Sequence, residues 1–155
     1  MSQQNPPDFM RLYQQYTELK PGPKAELRRL AEPDELAEVP AFYHLLNGHA
    51  GDRRMKRLIY CLPTVKKHVE GVSLGQALAK AEISEKRLFM VIRSEYPNDI
   101  VQLRRLLKMV DLNLDWPKLA EALYWWGQSN KQRMLEDYFF YQNSKSGKST
   151  NPNAA

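Results

Sequence analysis

Apolar residues recur at helical spacing along almost the whole chain, and this period limits the fold more than any other feature of the sequence. Phe9, Leu12, Tyr13 and Tyr16 share one face. So do Met55, Leu58, Ile59 and Leu62, and later Ile100, Leu103, Leu106, Leu107 and Val110. Strictly alternating runs, which strands would need, are absent. Most of the ten prolines lie between periodic segments rather than inside them. An all-α fold of about eight to nine helices follows. It is expected as two contiguous lobes, over about 6–70 and about 71–143, with a disordered tail over 144–155 that is rich in Ser, Lys, Asn and Gly. Hydrophobic residues make up 43% of the 155, enough for a sizeable core.

Stop and start signals divide the chain. Pro6-Pro7 opens a first helix that runs to about Lys20, where Pro21-Gly22-Pro23 ends it. A short helix is expected over 24–31, and another opens at Pro33 with Asp34 and Glu35 in its first turn. The segment 40–46 reads as a buried turn or two that includes His44, closed by Asn47-Gly48. A helix over about 53–62 ends at Pro63. Ser73, Ser84, Asn98 and Asp115 are N-caps for helices over 74–81, 85–95, about 99–111 and to Trp126, and a last helix spans about 130–142.

The net charge is +5, from 23 Lys and Arg against 18 Asp and Glu. Where the excess sits therefore matters more than its sum. The helix over 53–62 sets Arg53, Lys56, Arg57 and Tyr60 opposite its apolar side, with Arg54 beside them, and Tyr60 is the better candidate for base stacking. The helix over 85–95 turns Lys86, Met90 and Arg93 outward, and Lys86 and Arg93 lie about 10 Å apart along the axis. That spacing suits successive phosphates of an extended strand. On the helix over 99–111, Arg105 and Lys108 face out and Arg104 flanks them, while Arg28-Arg29 forms a further patch. Trp125-Trp126, Tyr138, Phe139 and Phe140 are spaced for core or subunit packing.

A catalytic centre is not expected, nor a metal or cofactor. His44, His49, His68 and the single Cys61 have no metal-ligand spacing, and no HExxH, CxxC, phosphate loop or dinucleotide fingerprint occurs. Glu32, Asp34, Glu35, Glu136 and Asp137 read as helix-end or surface charge rather than Mg²⁺ ligands. Cys61 reads as an inert small hydrophobe. One cysteine suits a reducing compartment, and neither a leader nor a membrane-length apolar run is seen, so a soluble, cytoplasmic protein is expected.

An ordered set of segments then carries a resemblance. It comprises Leu27-Arg28-Arg29-Leu30-Ala31-Glu32-Pro33-Asp34-Glu35-Leu36, Val39-Pro40-Ala41-Phe42-Tyr43, Val72–Ala79, Ser84-Glu85-Lys86-Arg87-Leu88-Phe89 with Ile92-Arg93, Val101–Leu107, Leu114-Asp115-Trp116-Pro117, Trp125-Trp126-Gly127 and Leu135-Glu136-Asp137. Over about 9–141 the chain resembles the CasB family, the small subunits of the type I-E CRISPR surveillance complex Cascade. The resemblance implies a non-catalytic subunit, paired within a ribonucleoprotein built on CRISPR RNA and other Cascade subunits. There it would contact the target strand and the displaced non-target strand of an R-loop. The family's basic positions fall on Arg29, Arg87, Arg93 and Arg105, with Arg28 and Arg104 as neighbours and Lys131 as a weaker match. The chain departs from the pattern at Gln128-Ser129, basic in some relatives, and in a shorter 62–72 loop that keeps Lys66 and Lys67.

Two other classes compete with this reading. A free-standing helix-turn-helix regulator would place the helix over 99–111 in a major groove, yet its outer face offers Arg and Lys with only Gln102 to one side. A metal-dependent nuclease would need one of the carboxylate groups above.

Overall fold

Polar caps and prolines mark the helix starts in the computed structural model, which describes residues 5–109 and 113–150. Helix α1 (Phe9–Thr17) begins at Asp8, whose carboxylate accepts from the backbone N–H of Arg11. Helix α2 (Pro21–Arg28) starts on the proline expected only to end α1. A first-turn proline forfeits no hydrogen bond, since that N–H would have no partner in the helix. A 3₁₀ stretch (Pro33–Glu38) leads to α3 (Pro40–Leu46), which stops where Asn47 and Gly48 turn to positive φ. Helix α4 (Arg53–Cys61) is capped by Asp52 and followed at Pro63 by a 3₁₀ turn (Leu62–Thr64).

Ser73 caps α5 (Leu74–Lys80) and Ser84 caps α6 (Glu85–Arg93), each through its hydroxyl. Helix α7 spans Asn98–Met109. Val110 and Asp111, expected to continue it, lie outside the described residues. Asp115 caps α8 (Trp116–Tyr124), with Pro117 in its first turn. Helix α9 (Gln128–Thr150) runs beyond the end expected near Gln142 and takes in part of the segment expected as a disordered tail, whose residues 151–155 lie outside the described set. The fold is all-α. Its small addition is a pair of two-residue strands, β1 (Lys67–His68) and β2 (Asn113–Leu114), paired in parallel, too short to leave an alternating pattern in the sequence.

Buried side chains from both sides of residue 70 join one core cluster. Helix α8 packs against α1 and α4, and α6 packs on α7. Trp116 is fully buried and donates its indole N–H to the carbonyl of Phe9 at 2.7 Å, which fixes α8 to α1. Tyr138 of α9 donates to the carbonyl of Ile83 in the turn before α6.

Helix α5 crosses α9 at close range. A Cβ on Gly75 would collide with the carbonyl of Met134, and would sit 2.7 Å from Cβ of Asp137 and 2.8 Å from the backbone N of Tyr138. Backbone cannot yield as a flexible side chain can. Gly75→Ala should therefore destabilise the protein by about 1–3 kcal/mol, although alanine is the better helix former. Urea unfolding of the two proteins checks this, and equal stability would mean the helices separate at no cost.

Candidate nucleic-acid interface

Three of the cations expected to face nucleic acid are internal. Arg57 is 8% exposed, Arg104 2% and Lys131 6%. Arg57 donates through Nε to the carbonyl of Leu123 at 2.6 Å and through Nη2 to that of Tyr124 at 2.8 Å. It thus adds a charged donor to the last carbonyls of α8, where that of Leu123 also accepts from the backbone N–H of Trp126 at 3.3 Å. Burial pulls its guanidinium pKa below the ordinary value, and the charge of Asp99 opposes this.

Arg104 does the same for α2. It donates to the carbonyls of Leu27, Arg28 and Leu30 while its guanidinium lies 4.3 Å over the ring of Tyr60. Lys131 pairs with Asp99 at 3.2 Å and donates to the carbonyl of Ser94 at 2.9 Å, and the indole of Trp126 also donates to Asp99.

Spacing contained a hint of this placement. Arg104 stands between Ile100 and Leu107 at helical intervals, and Lys131 precedes Met134, Leu135 and Tyr138 in the same way, so both belong to apolar stripes. Their long stems let the charged heads reach carbonyls beyond the stripe.

The rest of the α4 patch is largely occupied. Lys56 pairs with Asp34 at 3.3 Å and Arg54 with Asp52 at 2.9 Å. Arg53 stays exposed, its guanidinium 4.1 Å over the ring of Tyr96. Tyr60, expected as a stacking platform, is buried, and its hydroxyl donates to the carbonyl of Ala31. The hydroxyl of Tyr96 donates to Asp34 at 2.8 Å. That bond holds the Asp34 carboxyl below its usual pKa, with Lys56 and Arg53 assisting against desolvation.

The other cations expected to face nucleic acid are exposed. Lys86, Arg87 and Arg93 line the outside of α6, Arg105 and Lys108 that of α7, and Arg28 and Arg29 the end of α2. Because α6 packs on α7, the first two sets belong to neighbouring helices. On α6, a groove of about 640 Å³ runs between Lys86 and Arg93 over Phe89 and Met90, with Arg93 5.2 Å above the Phe89 ring. A second hollow of about 200 Å³ is lined by Arg28, Pro63, Thr64, Lys66, Arg104, Leu107 and Lys108. Trp125, expected in a core or subunit interface, is half exposed.

The remaining chemical candidates are placed as follows. His44 is exposed, although its neighbours Phe42 and Leu45 are buried. The Nδ1 of His68 accepts from the backbone N–H of Trp116. Cys61 is fully buried, and burial pushes its thiol pKa up to about 12. Among the described residues no three His, Cys, Asp or Glu are placed to hold a metal ion, and no helix is long and apolar enough to cross a membrane.

The model of the CRISPR-associated protein Cse2 family matches residues 23–139. The chain belongs to the Cse2 family. A curated relative, the CRISPR system Cascade subunit CasB of Escherichia coli strain K12, is 40% identical over 152 residues, which is 88% of this chain and 95% of that one. Among solved structures, a chain of E. coli Cascade bound to a PAM-containing double-stranded DNA target matches with a TM-score of 0.84 at 38% identity, covering 90% of this chain and 99% of that one. A Cse2-family protein of Thermus thermophilus shares the fold, with a TM-score of 0.66 at 18% identity over 85% of this chain and 96% of its own.

Placement separates neighbouring arginines. Arg104→Met should cost about 3 kcal/mol, because three carbonyls lose a charged donor. Arg105→Gln should stay within about 0.5 kcal/mol of the parent, as expected of an exposed site. Chemical denaturation distinguishes them, and equal losses would contradict the buried role. Since the folded-state pKa of Asp34 is lowered, its contribution is present above the ordinary carboxylate range and is lost as pH falls through the folded value. Asp34→Asn should therefore flatten the acid limb of stability against pH, measured by thermal unfolding across that range.

Proposed function

We propose that this protein is a non-catalytic small subunit of a Cascade-type ribonucleoprotein and stabilises its R-loop through backbone phosphates. Two findings support the subunit role: membership of the Cse2 family, and likeness to a chain of E. coli Cascade bound to double-stranded DNA. The single observation that carries the binding mode is the set of exposed cations on the paired helices α6 and α7, Lys86, Arg87, Arg93, Arg105 and Lys108. Arg28, Arg29 and Arg53 extend this positive surface. The partners are other Cascade subunits, CRISPR RNA and the target and non-target DNA strands, with a second copy of the chain beside the first. The setting is the cytoplasm, in antiviral defence.

The mechanism is electrostatic. Arginine and lysine displace counterions from phosphates without reading base edges, so binding is insensitive to sequence and weakens steeply with salt. Exchanging a DNA duplex for a guide–target heteroduplex is nearly balanced in energy, so a few backbone contacts decide how long the open state lasts. No bond in the nucleic acid has to be broken.

Replacing both Arg93 and Arg105 by Gln should shorten the R-loop lifetime of the assembled complex about tenfold, equivalent to about 1.4 kcal/mol. Strand-reannealing kinetics read this directly. An unchanged lifetime in a fully assembled complex would reject the proposed role.

A further inference from the structure

The hollow between the end of α2, the 3₁₀ turn after α4 and the last turns of α7 differs from the open cation rows on α6 and α7. Arg28, Lys66, Arg104 and Lys108 line it from three separate parts of the chain, and no described carboxylate does. Its volume of about 200 Å³ is below the ~300–1,000 Å³ of pockets that enclose a whole small molecule. A nucleobase with its sugar is too large to be enclosed there, whereas one tetrahedral anion fits.

The floor of the hollow carries a charge that its protein partners do not neutralise. The hydrogen-bond acceptors of Arg104 are carbonyls, not carboxylates, and its Nε is buried without an acceptor. A buried cation without a counterion is costly, and an anion at the mouth would relieve that cost. Burial lowers the pKa of the Lys108 ammonium, and the Arg104 charge lowers it further, so the two cations act on each other across this site. Arg28 and Lys108, which line it, are exposed and accessible to an incoming group. Arginine with lysine around a compact anion is the donor set that phosphate oxygens fill.

We propose that this hollow seats one phosphodiester of a single-stranded nucleic acid, pinning the strand at one point of an otherwise open electrostatic path. The proposal rests on the nucleic-acid reading above and adds to it a defined phosphate seat. The single strand follows from the R-loop reading above, in which the displaced strand is unpaired.

The full-length chain tests it in two ways, with Arg28→Gln/Lys108→Gln as the seat variant and Lys86→Gln/Arg93→Gln as the control on α6. Circular dichroism first confirms that both fold. Thermal melts then compare inorganic phosphate with chloride and with acetate at constant ionic strength, since a ligand that binds only the folded state raises the melting temperature. Phosphate should raise it for the parent and the α6 control but not for the seat variant, and acetate should have no such effect. Binding of a single-stranded oligonucleotide across a salt series should give a log–log slope shallower by about 0.7 in the seat variant, one phosphate contact fewer.

Equal protection of the parent and the seat variant by phosphate would overturn the proposal. Protection by acetate to the same degree would make the hollow a seat for protein carboxylates instead. Protection by phosphate with an unaltered salt slope would assign it to a free or terminal phosphate and overturn the strand assignment. A slope reduced only in the α6 control would reject the seat while leaving the R-loop reading intact.

Discussion

Arg104 lies beneath the end of α2 with its guanidinium on the ring of Tyr60 and its N–H groups turned to the carbonyls of Leu27, Arg28 and Leu30. One side chain of α7 thereby holds α2 and α4 in place. The last carbonyls of a helix have no partner within it, and they carry the negative end of its dipole, so a buried arginine is well matched to them. Arg57 repeats the arrangement at the end of α8, and Lys131 joins α9 to Asp99 of α7 and to Ser94 after α6. The short helices are tied at their ends as much as along their apolar faces.

This use of cations determines what the surface can do. With Arg57, Arg104 and Lys131 internal, and Lys56 and Arg54 paired to carboxylates, the positive surface shifts from α4 toward α6, α7 and the end of α2. A basic helix face is thus no single kind of object here. On α4 all of it but Arg53 is tied into the scaffold, while Lys86, Arg87 and Arg93 on α6 and Arg105 and Lys108 on α7 remain open to solvent. Arg28 takes part in both roles: its carbonyl accepts from Arg104, and its side chain lines the hollow beside Lys108.

Features set within a few residues were legible in the sequence. The Ser73, Ser84 and Asp115 caps, the break at Pro63 and the inward Leu88, Val91, Leu103 and Leu107 depend on neighbours one to two turns away. Less legible were the opening of α2 at Pro21, where one motif both stops and starts a helix, and the length of α9, whose later residues lack an apolar stripe. His44 shows the limit at the finest scale: its turn packs inward, yet its own position points out.

The sequence by itself determined an all-helical chain, where most helices begin, which faces are apolar, and that positive charge exceeds negative by a modest margin. Only the tertiary structure decided which positive charges remain available to a partner. Arg57 finds its acceptor 66 residues away and Arg104 one of its own 77 residues away. Helical periodicity relates positions three or four apart, so it cannot distinguish an arginine at the edge of a stripe that meets solvent from one that meets the end of another helix. That choice depends on how distant helices pack, and the packing also brings Arg28, Lys66, Arg104 and Lys108 around one hollow.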